Sequence, residues 1–266
     1  MKKKSFIFLF SDNEDLLEIS NKINDSITID LNVNYIKLIK ILLESKKKTK
    51  AKYIVADNSI KGELSAIFLK AFEKDSEFSI WFEELGSRCF MKKIVERQAV
   101  YFSKSLITRS KQMKHSLNLK YRKKVFVIYP WVKENLYDSK QARAKKTKFR
   151  VFTNYTLTPL KNWSLASKLS ESDISIFKLE NKLLNFKFPK LIINSIENRI
   201  PTIIIYHKPK TVNKIFKYVK NIHVVASESD LDFYYLEYLA NQNFKFKIPK
   251  KLRFKYNLSN FKKFLK

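Results

Sequence analysis

The feature that most constrains this chain is the regular alternation of short apolar runs with segments of helical spacing, sustained from Ser5 to Asn241. Ser5–Phe10, Tyr53–Ala56, Phe78–Phe82, Leu106–Thr108 and Val125–Tyr129 are nearly continuous apolar runs, with a shorter one at Ile27–Ile29. They read as strands covered on both faces. Between them, Glu14–Lys22, Tyr35–Leu43, Gly62–Phe72, Phe90–Phe102 and Lys111–Leu117 repeat apolar residues at about 3.6-residue spacing. In the second of these helices the period puts Tyr35, Leu38, Ile39 and Leu42 on one face; in the third it turns Leu64, Ile67, Phe68 and Ala71 inward. Strand and helix in strict turn mean parallel sheets joined by crossover helices, an α/β fold.

Pro130 ends this first series, and Tyr137–Lys148 follows as a densely basic stretch without apolar period, expected to be a linker or exposed loop. A second series then runs through strand Phe149–Phe152, helix Asn162–Leu169, strand Ile174–Phe177, helix Lys190–Asn198, strand Thr202–Tyr206, helix Val212–Val219, strand His223–Ala226 and helix Leu231–Asn241. The expected organisation is therefore a domain over 1–136, a linker over 137–148, a second, shortened domain over 149–242, and a basic aromatic tail over 243–266. In the tail, Phe254, Leu258, Phe261 and Leu265 share one helical stripe among lysines. Such a stripe is expected to dock on the body; the other reading is an interfacial helix on an anionic membrane.

A hydrophobic share of 45% and a charged share of 30% over 266 residues exclude a disordered chain and supply a real core. The net charge of +29 attracts polyanions: nucleic acid, anionic headgroups or phosphate-bearing substrates. Lysine-rich, glycine-poor composition also produces such a charge without any partner, as solvated surface. The single cysteine, Cys89, excludes a disulfide within the chain and a Cys-cluster zinc site, and fits a reducing, cytoplasmic setting. The apolar run after Lys2-Lys3-Lys4 is shorter than a signal-peptide core and is met at once by Asp12, Glu14 and Asp15. No stretch reaches the ~18 apolar residues of a membrane span, so membrane contact is expected to be peripheral.

Three motifs carry a family resemblance. Asp173-Ile174, Phe188-Pro189-Lys190-Leu191 and Pro201-Thr202-Ile203 follow one another as strand, loop, helix and strand. Glu96-Arg97 precedes Ser103–Ser110, and Val125–Val132 reads VFVIYPWV. Together these segments resemble the GT-B glycosyltransferases, in particular the family 4 group, over most of residues 50–240. The resemblance implies two Rossmann-like domains facing a cleft, with a nucleotide-sugar donor in the second and a glycan, lipid or protein acceptor in the first. It implies a metal-independent hexosyl transfer with no cofactor besides the donor. Lys161, Asn154, Lys190 and Asn194 are the positions it turns toward the donor. Glu83 and Glu84, after the Phe78–Phe82 strand, and Asp12, after the first strand, are its candidates for the acceptor-side base. Asn194 stands where the family has a ribose-gripping glutamate and Arg199 where it has a glycine; Ser11-Asp12 and Thr153-Asn154 replace the glycines that usually follow the first strand of each domain. These substitutions leave a non-catalytic subunit of a transferase complex as an alternative. A basic nucleic-acid-binding protein is another, with Lys140–Lys148 and the tail on phosphates.

Other chemistries find no foothold. There is no P-loop, GxGxxG, HExxH or GxSxG sequence. Asp230-Leu231-Asp232 matches a metal-binding DxD pattern, but in SESDLDF it reads as helix capping. His115, His207 and His223 are scattered at no metal spacing.

Overall fold

The computed structural model describes residues 3–83, 89–132, 140–141, 146–156, 162–178, 188–206, 219, 222–242, 244–245 and 248–265. The chain divides into two compact units, Met1–Tyr129 with Asn257–Lys266, and Pro130–Tyr256.

The first unit runs β1 (Lys3–Phe10), α1 (Glu14–Ser20), β2 (Ser26–Asp30), α2 (Tyr35–Lys48), β3 (Thr49–Asp57), α3 (Ile60–Phe72), β4 (Glu77–Phe82), α4 (Phe90–Phe102), β5 (Ser105–Thr108), α5 (Lys111–Tyr121) and β6 (Val125–Val127). Its six strands are all parallel, in the order β2-β1-β3-β4-β5-β6. Short polar side chains start its helices. Asn13, Asn34, Ser59 and Ser110 each accept a backbone N–H from the first turn of α1, α2, α3 and α5. Each satisfies a donor the helix cannot bond internally.

The second unit runs β7 (Lys140–Gln141), β8 (Phe149–Thr153), β9 (Trp163–Leu165), β10 (Ile174–Lys178), α6 (Phe188–Glu197), β11 (Thr202–Ile205), β12 (Ile222–Val225), α7 (Phe233–Asn241) and β13 (Phe244–Lys245). Its main sheet, again wholly parallel, has the order β12-β11-β10-β8-β9. Both units therefore place the second strand outside the first and the third strand on its other side, which is the Rossmann-like pattern expected of an α/β fold with two parallel sheets.

Four expectations are corrected. The 162–169 segment holds strand β9 (Trp163–Leu165) and turns rather than a helix: Trp163 pairs with Phe149 and stacks on its ring at 4.8 Å, while Ser164 and Ser167 offer little helix propensity against that pairing. Part of the basic 137–148 stretch is strand, since β7 pairs antiparallel with β13. The 243–266 stretch is divided between the units. Trp131 packs on Phe254 at 5.3 Å and Val132 N–H donates to the Leu252 carbonyl, holding that part in the second unit. The helix α8 (Phe254–Phe264) then carries the chain into the first. There Phe261 is fully buried between Phe8 and Trp81, at 6.1 Å from each, and Phe264 meets Tyr53 at 5.4 Å and Phe126 at 4.7 Å. The apolar stripe of the tail docks, as its spacing requires, and each such ring contributes about 2–3 kcal/mol of burial.

The fourth correction concerns helix facing. In α3 the buried residues are Gly62, Glu63, Ser65, Ala66 and Leu69, while Leu64 and Ala71 are exposed and Ile67 and Phe68 half-buried. In α2 only Leu38 and Leu42 are buried; Tyr35 and Ile39 are exposed. Small residues line the side of α3 against the sheet because they let its backbone approach closely, and the larger apolar residues are displaced outward.

Candidate functional site

In parallel sheets of this order, ligands bind beyond the carboxyl ends of the strands, where the strand order reverses. That point lies between β1 and β3 in the first unit and between β8 and β10 in the second.

In the first unit the point is closed by the protein's own carboxylate. Asp57, the last residue of β3, is buried; its Oδ2 accepts from Ser11 N–H at 2.6 Å and Ser11 Oγ at 2.8 Å. Its Oδ1 accepts from Ser59 N–H at 3.1 Å and Ser59 Oγ at 2.5 Å. Ser59 in turn accepts from Gly62 N–H at 2.9 Å, which starts α3. A Cβ on Gly62 would stand 2.3 Å from Asp57 Oδ1 and 2.6 Å from its carbonyl oxygen, so glycine is required by close approach. Asp12, next along, is exposed and accepts from Asn32 Nδ2 at 3.2 Å. Glu83 follows β4, a strand away from the reversal point, and is half-buried. Glu84 lies outside the described residues.

In the second unit the same point is tied by an amide. Asn154 follows β8; its Oδ1 accepts from Lys178 N–H at 2.9 Å and its Nδ2 donates to the Lys178 carbonyl at 3.1 Å. The reciprocal pair fixes the end of β10 against the end of β8. The Lys178 ammonium then pairs with Glu228, from the turn after β12, and lies 5.5 Å from the Tyr155 ring centroid. Burial, with the nearby Glu228 carboxylate, pushes the Tyr155 phenol up to about 12, and its hydroxyl is buried without a hydrogen-bond partner among the described residues. The result is an amide, an ammonium, a carboxylate and a phenol gathered at one sheet edge.

The other positions expected near a donor are placed differently. Lys161 lies outside the described residues, as does the Lys190 side chain, though its backbone is in the first turn of α6. Asn194 is half-buried, six residues or about 9 Å of rise beyond the start of α6. Arg199 has φ 57°, a left-handed conformation that favours glycine. Asp173 sits at the opposite, amino-terminal end of β10, where it accepts from Arg150 N–H at 2.9 Å and pairs with Lys146 at 2.5 Å. That carboxylate holds the sheet together. Asp230 accepts from the N–H groups of Ala226 and Ser227, and Asp232 from Tyr234 N–H, so both aspartates are turn and helix caps. His223 Nδ1 is bonded to Tyr235 Oη at 2.7 Å, and burial lowers its pKa. Among the described residues no three His, Cys, Asp or Glu side chains gather as a metal site.

Asp57, Lys178, Tyr155 and Glu228 were not legible as site residues. Asp57 and Lys178 share one faint signal: each is a charged residue at the last position of an apolar strand, in TKAKYIVAD and ISIFK.

The chain matches no protein-family model and no curated protein. Among solved structures it is similar to one titled S. aureus MnaA-UDP co-structure, at 12% identity and a TM-score of 0.36, over 88% of this chain and 71% of that one.

Proposed function

We propose that this protein binds a nucleotide-sugar at the carboxyl ends of β8 and β10 and transfers the sugar, without a metal, to a glycan, lipid or protein acceptor. The observation that supports the reading is the polar edge made by Asn154, Lys178, Tyr155 and Glu228 at the strand-order reversal of the second unit. Asn154 positions the end of β10. Lys178 exchanges Glu228 for a diphosphate oxygen, a stronger acceptor carrying more charge. Glu83, Glu84 and Asp12 remain the carboxylates proposed to deprotonate the acceptor hydroxyl. The alternative is a nucleotide-sugar-binding subunit without turnover. It is favoured by Asn194 and Arg199 and by Asp57, which occupies the first unit's reversal point with its own hydrogen bonds.

Thermal shift with UDP-, GDP- and ADP-sugars, beside single-stranded DNA, tests the reading. Stabilisation by one sugar nucleotide, lost in Lys178→Ala and weakened in Asn154→Ala, supports it. A response to DNA alone that vanishes with added salt sinks it in favour of a nucleic-acid binder. Binding without release of free nucleotide in the presence of acceptors selects the subunit reading.

A further inference from the structure

We propose that the outward face of α2, α3 and α4 is a docking surface for an anionic lipid bilayer. This goes beyond the nucleotide-sugar reading and does not depend on it. Right-handed crossovers put these three helices side by side on one face of the first unit's sheet. α3 packs against both α2 and α4, and the Lys46 ammonium of α2 lies 4.0 Å from the Phe72 ring centroid of α3.

All three helices also carry large apolar residues outward. On α2, Ile36, Ile39 and Leu43 form a second stripe at i, i+3 and i+7, away from the buried Leu38 and Leu42, and Ile36 is 79% exposed. On α3, Leu64 and Phe72 are exposed. On α4, Phe90 and Tyr101 are each 73% exposed, with Met91 and Ile94 beside them. The inner side of α4 holds Val95, Ala99 and Val100 together with the buried Lys92 and Glu96. Lys92 lies 3.1 Å from the fully buried Glu63 of α3, and Glu96 accepts from Lys120 at 2.8 Å. Helices that keep a second set of large apolar groups on the side away from their sheet present a surface suited to being covered.

Charge decides the occupant. α2, α3 and α4 contain three carboxylates, Glu44, Glu63 and Glu96, of which only Glu44 is exposed. Lys37, Lys40, Lys47, Lys48, Lys93 and Arg97 are all exposed. A second copy of this face would set lysine against lysine with almost no carboxylate to pair, whereas a bilayer of negative surface potential meets each cation favourably. The apolar stripe then enters the headgroup boundary while the lysine stems lie along it. Among the described residues no helix is long and apolar enough to cross a membrane, so the surface lies on the bilayer and does not span it.

Cosedimentation of the full chain with vesicles of phosphatidylcholine alone and of phosphatidylcholine mixed with phosphatidylglycerol tests the proposal. Binding is expected only to the mixed vesicles, falling about tenfold or more in Ile36→Ser/Tyr101→Ser and in Lys40→Glu/Lys47→Glu. The lysine pair is exposed, so it decides the matter even if the apolar pair lowers the melting temperature. Lys262→Glu/Lys263→Glu, on the exposed side of α8, is expected to change little. Absence of binding to mixed vesicles, insensitivity to both face variants, or an equal loss in the α8 variant overturns the proposal. So does a dimer, detected by light scattering without lipid, that the face variants dissolve.

Discussion

The two units share one strand order and treat its reversal point in opposite ways. In the first, a carboxylate reaches across from β3 and accepts four hydrogen bonds from Ser11 and Ser59. In the second, an amide with no net charge ties β8 to β10 and leaves a lysine ammonium at the edge, paired among the described residues with the partly exposed Glu228. One edge is negative and saturated from within; the other carries a cation whose partner can be exchanged. The same topology thus yields an end saturated by a buried carboxylate and an end that carries a lysine paired with a partly exposed one, and the difference lies in side chains at strand termini rather than in the sheets.

The saturated end should be the costlier to break. Asp57→Ala removes the acceptor of four hydrogen bonds and is expected to destabilise the first unit by about 4 kcal/mol, with faster amide exchange in β1 and β3 and none added in β8 and β10. Equal acceleration in both sheets would show that the two ends are not independent. A second buried carboxylate of the same unit gives a pH signature. Burial pushes Glu63 up to about 8 from 4.5, against the pull of Lys92. The folded state therefore holds a proton that the unfolded chain has released between those values. The stability that Glu63 contributes is full below pH 4.5 and is lost as pH rises to about 8, on the order of 5 kcal/mol. Melting temperatures taken across that range should fall with pH less steeply for Glu63→Gln than for the native chain.

Asn154→Ala loses two hydrogen bonds at a solvent-facing edge and is expected to cost about 1 kcal/mol, with exchange rising in β8 and β10 alone. A cost matching that of Asp57→Ala would erase the contrast. The smallest effect is a gain: Arg199→Gly relieves a left-handed backbone and should add at most about 1 kcal/mol in urea unfolding. A loss would mean that the arginine side chain outweighs its backbone strain.

Strands were readable because parallel strands are covered on both faces and so appear as apolar runs, as in Tyr53–Ala56 and Thr202–Tyr206. Helices were readable as helices, but not their facing. α3 has apolar residues on two sides, and spacing alone favours Leu64 and Phe68 over Ser65 and Ala66 as the inner set. Only the close sheet contact, met by small residues, decides otherwise. Trp163 shows the same limit: its place beside Phe149 belongs to tertiary pairing. Asn154 was found because it follows a first strand. Asp57 and Glu228 were not, since Ser11 and Lys178, which they hold, stand 46 and 50 residues away and the charged end of an apolar strand is only a faint local sign.

The return of α8 bears on the order in which the molecule can be made. Tyr129 N–H donates to the side chain of Asn257, 128 residues later, and Phe261 fills the space between Phe8 and Trp81. During synthesis the first sheet therefore emerges with one aromatic face bare and waits while the whole second unit is translated and folds. In that interval the nascent chain offers a chaperone, or a neighbouring polysome, the surface that Phe261 and Leu265 later cover. A chain truncated after Tyr256 should hold a first unit with loose side-chain packing beside a closed second unit.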